Sequence, residues 1–165
     1  LTANVEIPAN GAEGMIATLG GLFDGWALYL DKGKPVFHYN FGNIGHTSIS
    51  APQALTAGKH KVVMDFKYDG GGMGKGGVAT LYVDDQQVAQ GRIEHTVAVR
   101  FTMSVETFDI GEDTGTPVNL SYEVPFAFTG RIDDVTIKLV PPPPETAKAH
   151  LLIKQKAAQL AVERQ

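Results

Sequence analysis

The sequence predicts an all-β fold, a two-sheet antiparallel sandwich, on three observations. Short stretches of the chain alternate in polarity at every second residue, as strands with one buried face do. Glycine makes up 19 of the 165 residues and falls mainly between these stretches, where the chain must turn. The first 140 residues show no helical period, so two packed sheets are the expected architecture.

About nine or ten strands are expected, and the pattern outlines eight of them at residues 14–19, 26–30, 35–41, 60–68, 78–83, 87–94, 97–105 and 132–139. The clearest is 60–68, whose side chains predicted to face the core are Val62, Met64, Phe66 and Tyr68. Alternation predicts shared faces for three further sets: Met15, Ala17 and Leu19; Phe37, Tyr39 and Phe41, opposite Val36, His38 and Asn40; and Val135, Ile137 and Leu139, facing inward. Tight hairpin turns are predicted at 31–34 and 84–86.

The end of the chain differs from this body. Four prolines at 141–144 exclude a helix or a central strand and predict a stiff linker. Good helix formers follow, with one stripe made by Ala149, Ile153, Ala157 and Leu160. The predicted organisation is a sandwich over 1–140, a linker over 141–144 and an amphipathic helix over 145–165. The helix is expected to dock on the sandwich or a neighbouring domain, with self-association as the alternative.

Composition argues against several classes of function. The absence of cysteine excludes disulfides, thiolate zinc sites and cysteine nucleophiles. Fourteen basic against 18 acidic residues, a net charge of −4, argue against a broad nucleic-acid-binding surface. No apolar run approaches the ~18 residues of a membrane span, and no signal peptide is visible, so a membrane is not an expected partner. The net charge likewise makes nucleic acid an unexpected partner. Because the first residue is Leu1, we expect a fragment of a longer protein.

The glycine-rich segment 69–77 does not fit a nucleotide-binding loop. Asp69 stands where a phosphate loop has its first glycine, Gly76 stands where it has Ser or Thr, and a strand follows instead of a helix. The glycines would permit the positive φ values of a long hairpin connection. A run of this length also allows another backbone to approach closely. The segment is therefore a candidate interface loop, made of Asp69, Gly70, Gly71, Gly72, Gly74 and Lys75.

Candidates for metal chemistry are few. The histidines show no HxH or HExxH spacing, so each is expected to be a strand or tail residue rather than a zinc ligand: His38, His46, His60, His95 and His150. The segment 108–118 has three acids and two glycines and could offer oxygen ligands to calcium, with Asp109 and Asp113 as the best candidates. It lacks the spacing of an EF-hand loop. The alternative is a connecting loop whose acids accept hydrogen bonds from backbone amides.

Four aromatic residues are neighbours across one predicted hairpin, namely Trp26, Tyr29, Phe37 and Tyr39. A flat ring face stacks well on a pyranose, which makes Trp26 and Tyr39 candidates for binding a glycan. Alternation alone assigns half of the four to the core, so core packing is the competing interpretation.

Six segments, in this order, resemble the C-terminal domain of the long bacterial arylsulfatases: GGLFDGWALY (20–29), GKPVFHYNF (33–41), GKH (58–60), YDGGGMGKGG (68–77), FDIGEDTGTPV (108–118) and FTGRIDDVTI (128–137). The resemblance covers roughly residues 3–139, and its most specific parts are the glycine-rich loop and the segment 108–118. It implies a concanavalin-type or laminin-G-like jelly roll that follows a large α/β catalytic domain. It also implies a bacterial protein and leaves the compartment open, cytoplasmic or periplasmic.

The family's nucleophile does not carry over to this chain. Sulfatases use a formylglycine made from Cys or Ser in a Cys/Ser-x-Pro-x-Arg stretch, and the near match at 50–54 has Ala54 in place of the arginine. The resemblance therefore implies a non-catalytic domain that packs on the catalytic domain of an arylsulfatase, a sulfuric ester hydrolase, and shapes its substrate entrance. The alternatives are a carbohydrate-binding module with a calcium site and, more weakly, an independent hydrolase.

Overall fold

The computed structural model describes residues 1–98 and 106–140 and the single residue Leu152. These residues form ten strands: β1 (Thr2–Ile7), β2 (Gly14–Gly20), β3 (Gly25–Asp31), β4 (Lys34–Phe41), β5 (Gly45–Ser50), β6 (Gly58–Tyr68), β7 (Gly77–Val83), β8 (Gln86–Ile93), β9 (Phe108–Ile110) and β10 (Arg131–Thr136). The predicted linker and C-terminal helix lie outside the described residues, Leu152 apart, as does most of the predicted strand 97–105. The described part of the chain has no helix long and apolar enough to cross a membrane.

The strands form two five-stranded antiparallel sheets packed as a sandwich, which confirms the predicted fold class. The first sheet has the order β10-β1-β6-β7-β8, and the second has the order β5-β4-β3-β2-β9. The core between them takes one face of each sheet, and its fully buried members include Val5, Ile16, Leu28, Val62 and Leu81. On β6 three of the four predicted inward side chains are confirmed: Val62 is buried, and Met64 and Phe66 pack against this core. Tyr68, the last residue of the strand, is half-buried, and its hydroxyl bonds the glycine-rich segment instead.

A second apolar cluster covers the outer face of the second sheet. The chain between β9 and β10 crosses this face and packs Val118 and Tyr122 onto Met15, Tyr29 and Val36. The rings of Tyr29 and Tyr122 have centroids 5.3 Å apart. β4 is therefore buried on both faces, and the predicted alternation of its side chains is confirmed: Phe37 and Tyr39 belong to the central core, and Val36 to the outer cluster.

Two of the predicted shared faces are wrong in part, although Val135 packs against the central core as predicted. A register shift in β2 between Met15 and Ala17 places Met15 opposite Tyr29, in the outer cluster, whereas Ala17 lies opposite the core residue Leu28. At the other end of the chain, Ile137 and Leu139 are exposed rather than inward. β10 ends at Thr136, which pairs with Thr2, the first residue of its partner strand.

Three strands were not outlined by the pattern. β1 is short and follows directly on the first residue, β5 is rich in polar side chains, and β9 has three residues inside a segment that the sequence places in a connecting loop. β9 pairs with β2 through Asp109 opposite Thr18. The predicted hairpin turns are confirmed, since β3 leads into β4 and β7 into β8 through two-residue connections.

The sandwich has two different ends, which are named here by their connections. The turn end contains residues 8–13, 31–34, 51–57 and 84–85, and the loop end contains 21–24, 42–44, 69–76 and 94–98. At the loop end, the segment 94–98 joins the two sheets. The Val97 amide donates to the Tyr39 hydroxyl at 2.9 Å, and the Thr96 hydroxyl donates to the Lys75 carbonyl at 2.7 Å.

Candidate functional site

The glycine-rich loop at the loop end folds around the hydroxyl of Tyr68, the last residue of β6. This hydroxyl donates to the Gly72 carbonyl and accepts from the Lys75 amide at 3.0 Å. Asp69 and Gly76 close the base of the loop with a backbone hydrogen bond of 3.0 Å. The four glycines that the sequence assigns to the interface loop all have positive φ, from 73° to 121°, a region that disfavours other residues: Gly70, Gly71, Gly72 and Gly74.

An ion pair anchors the loop to the first sheet. Both terminal nitrogens of Arg92, on β8, donate to the carboxylate of Asp69 at 2.6 and 3.0 Å. These hydrogen bonds hold the pKa of the Asp69 carboxyl below its usual value. The bidentate geometry fixes the direction in which the loop leaves the sheet. The loop is therefore held in place by contacts within the chain.

A single buried side chain, Asn40 of β4, ties together the rest of the loop end. Its amide nitrogen lies 3.0 Å from the Leu22 carbonyl oxygen, 3.2 Å from that of Gly21 and 3.4 Å from that of Val118. Its amide oxygen accepts from the Asn43 backbone amide at 2.9 Å. Asn40 thereby positions the β2–β3 connection, the β4–β5 turn and the segment that covers the second sheet.

Three large apolar side chains are exposed on the connections of the loop end. Phe23 is 57% exposed, Ile44 is 83% exposed and Met73 is 44% exposed. The positions of Gly71 and Gly72 are open as well, because a Cβ built there would meet no atom within 4 Å. The loop end thus offers apolar side chains beside backbone that a second surface can approach closely.

The candidate sugar-stacking residues occupy different environments. Tyr39 is only 6% exposed, and its hydroxyl accepts the Val97 amide, so its ring presents no free face. Trp26 packs partly against the central core, with its ring centroid 6.4 Å from Phe37 and 6.1 Å from Phe108. Phe108 is 41% exposed on the outer strand β9. The glycan hypothesis therefore rests on Trp26 and Phe108 and stays a prediction.

The candidate calcium ligands already accept hydrogen bonds from the protein. Asp109 accepts from the Thr107 hydroxyl at 3.0 Å. Asp113 is 1% exposed and accepts from the Tyr122 hydroxyl at 2.7 Å. Burial raises the pKa of the Asp113 carboxyl, and the nearby Asp109 and Glu106 raise it further. Among the described residues, no three Asp, Glu or His side chains are grouped as metal ligands, and calcium binding stays a prediction.

His38 is a buried residue that the sequence places on the same face as Val36 and Asn40, as observed. Burial, and then the neighbouring His46, lower the pKa of His38 to about 4. Sequence spacing could not reveal this pair, because residues eight apart meet only when the register of the β4–β5 hairpin is known.

Comparisons with known proteins add no identification to this all-β sandwich. Neither a protein-family model nor a curated protein matches the chain.

Proposed function

We propose that this chain is a non-catalytic accessory domain of an arylsulfatase, whose loop end packs on the catalytic domain and borders its substrate entrance. The proposal combines the sequence resemblance with one structural observation. Three exposed apolar residues lie on the connections of the loop end, with Met73 inside the glycine-rich loop itself, and none of the large apolar side chains that are exposed among the described residues lies in the segments of the turn end.

The energetics favour docking through this end. Burying an exposed large apolar side chain contributes roughly 1.5–3 kcal/mol, so Phe23, Ile44 and Met73 together could supply several kcal/mol. The glycine-rich loop is already held by Tyr68 and Arg92, which reduces the ordering entropy that association would otherwise cost.

The near match to the sulfatase nucleophile motif has no support as an active site. Ser50 is the last residue of β5, and the following Ala51 is 4% exposed and donates its amide to the Pro35 carbonyl at 2.8 Å. This segment leads into the turn end, away from the glycine-rich loop. We expect the purified chain not to hydrolyse a chromogenic aryl sulfate. Turnover that persists through repurification would contradict the non-catalytic assignment.

Exchanging the exposed apolar residues tests the docking surface. We expect the triple variant Phe23→Ser, Ile44→Ser and Met73→Ser to remain folded as an isolated chain, but to lower the sulfatase activity of the full-length parent at least tenfold. The matched control is a turn-end triple variant, Lys32→Ser, Lys34→Ser and Asp85→Ser, which should leave parent activity within twofold. Equal effects of the two triple variants on parent activity would contradict docking through the loop end.

The encoding gene offers an independent test of the parent. We expect a Cys/Ser-x-Pro-x-Arg stretch in the reading frame upstream of residue 1. An upstream frame that encodes a different catalytic domain would contradict the sulfatase assignment and leave the docking surface to be judged by the variants.

A carbohydrate-binding module with a calcium site is the second candidate, favoured by the half-exposed ring of Phe108 beside Trp26 and Asp109. Calcium at 100 times its dissociation constant would add about 2.7 kcal/mol of stability. For a domain of this size, that corresponds to a melting shift of roughly 5–10 °C. The shift should be absent in Asp113→Asn. Identical melting in chelator and in millimolar calcium would contradict this candidate.

A further inference from the structure

The hairpin of β4 and β5 brings together two histidines that are eight residues apart in the sequence. His38 is 2% exposed on β4, and His46 is exposed on β5. Across the hairpin His38 lies opposite Ser48, and His46 lies opposite Asn40, so the two imidazoles are diagonal neighbours on one face. The nitrogens that face each other, His38 Nε2 and His46 Nδ1, are 3.1 Å apart.

The second nitrogen of each ring lies against an oxygen. His38 Nδ1 is 2.7 Å from the Ser48 hydroxyl oxygen, and His46 Nε2 is 3.3 Å from the Asn43 amide oxygen. An amide oxygen only accepts, so the His46 tautomer that satisfies Asn43 carries its proton on Nε2 and accepts at Nδ1 from His38 Nε2. A hydroxyl accepts as readily as it donates, so His38 can move its proton to Nδ1, against Ser48, and free a second lone pair at Nε2 for an ion.

Two imidazole lone pairs at this separation form the donor set of a metal site. With metal–nitrogen bonds of about 2.0–2.1 Å, two adjacent ligand nitrogens of an octahedral or tetrahedral ion lie roughly 2.9–3.4 Å apart. Histidines that bind metals almost always donate their other N–H group to a neighbouring oxygen, which fixes the tautomer. Ser48 and Asn43 occupy these outer positions, and the exposed ring of His46 can pivot to direct its lone pair at an ion.

We propose that His38 and His46 form a two-histidine site for a divalent transition-metal ion of the zinc or copper class. Ser48 and Asn43 are its outer hydrogen-bond partners. Imidazole ligands select this class over calcium or magnesium. Among the described residues no third His, Asp or Glu side chain completes a group of three, so water fills the remaining coordination positions. The site lies beside Ile44, on the β4–β5 turn of the loop end.

Zinc titration of the tag-free, chelator-treated chain tests this site. We expect calorimetry to give one Zn²⁺ per chain and long-range proton–nitrogen NMR to show metal shifts at His38 Nε2 and His46 Nδ1. His46→Gln should weaken zinc binding at least tenfold, while the matched control His95→Gln, which removes another exposed histidine, should bind zinc as the wild type does.

The outer partners give a second readout. Ser48→Ala keeps both ligands and should weaken zinc binding about tenfold, as loss of an outer-shell partner does at other sites. Unchanged affinity in His46→Gln, zinc shifts at His60 or His95 in place of the pair, or no binding by the wild type at millimolar zinc would each overturn the proposal.

Discussion

The turn end and the loop end of the sandwich close the same two sheets by different means. At the turn end, the hairpins use two-residue turns in which both central residues have positive φ, Lys32-Gly33 and Asp84-Asp85. In the Asp84-Asp85 turn the charges are matched locally, as in the 2.5 Å ion pair of Asp85 with Lys61. At the loop end the hairpin connections are longer, and they carry the exposed Phe23, Ile44 and Met73.

The two ends differ in what they expose to water. The short hairpin turns of the turn end carry none of the large apolar side chains that are exposed among the described residues. The loop end is held by the hydrogen bonds of Asn40 and Tyr68, yet it leaves apolar side chains in solvent. A surface that is both ordered and apolar is typical of a binding surface. Asn40 and Tyr68 therefore stabilise the loop end, whereas Phe23, Ile44 and Met73 are exposed for contact with a second surface.

The largest effect should come from the residue that builds the loop end. Asn40→Ala removes a buried amide and leaves the carbonyls of Gly21, Leu22 and Val118 short of a donor. We expect a loss of about 3 kcal/mol in the free energy of unfolding, measured by urea denaturation. Asn4 is the matched control, because its amide bonds the exposed Asp134 carboxylate at 3.0 Å, and Asn4→Ala should cost less than about 1 kcal/mol. Similar losses would mean that Asn40 does not organise this end.

A smaller effect is expected inside the glycine-rich loop. Tyr68→Phe removes the hydroxyl that joins Gly72 to Lys75 and should cost about 1–2 kcal/mol. Amide exchange of residues 70–75 should accelerate, while exchange at the turn end stays unchanged. Tyr82→Phe, on the neighbouring strand β7, is the control and should leave exchange in the loop as it is. Unaltered loop exchange in Tyr68→Phe would show that the glycines alone hold this conformation.

The smallest effect is expected at Ile44, the most exposed of the three apolar residues of the loop end. Ile44→Ser should change the unfolding free energy of the isolated chain by less than about 0.5 kcal/mol, because its side chain is 83% exposed. Val62→Ala in the central core, where the side chain is fully buried, should cost about 2 kcal/mol for comparison. A large loss of stability in Ile44→Ser would make this residue part of the fold and weaken the case for a binding surface.

The fold was predictable in strands that have one face in the core and one face in water, because their residues alternate between apolar and polar. The alternation in β6 predicts the inward positions of Val62, Met64 and Phe66, and the turn residues 31–34 locate the β3–β4 hairpin. Prediction failed where the outcome depends on a distant partner. The register shift at Met15 accompanies the outer cluster with Tyr122, more than 100 residues away, and β10 stops at Thr136, opposite Thr2 of β1.

The candidate sites likewise divide into those set by the local sequence and those that depend on how distant segments pair. The glycine-rich loop is visible in the sequence because six of the nine residues at 69–77 are glycine, and glycine permits positive φ. The exposed Ile44 and the histidine pair were not predictable, because both depend on how the β4–β5 turn pairs its strands. Burial of Tyr39, a candidate for stacking on a sugar, depends likewise on the segment 94–98 from the other sheet.

Hydrogen–deuterium exchange on the isolated chain and on the longer sulfatase that we propose contains it tests the central claim most directly. The account predicts that residues 21–24, 42–44 and 69–76 exchange more slowly in the longer protein, whereas the turn-end residues 31–34 and 84–85 exchange at the same rate in both. Equal exchange at the loop end in the two proteins, or slower exchange confined to the turn end, would contradict it.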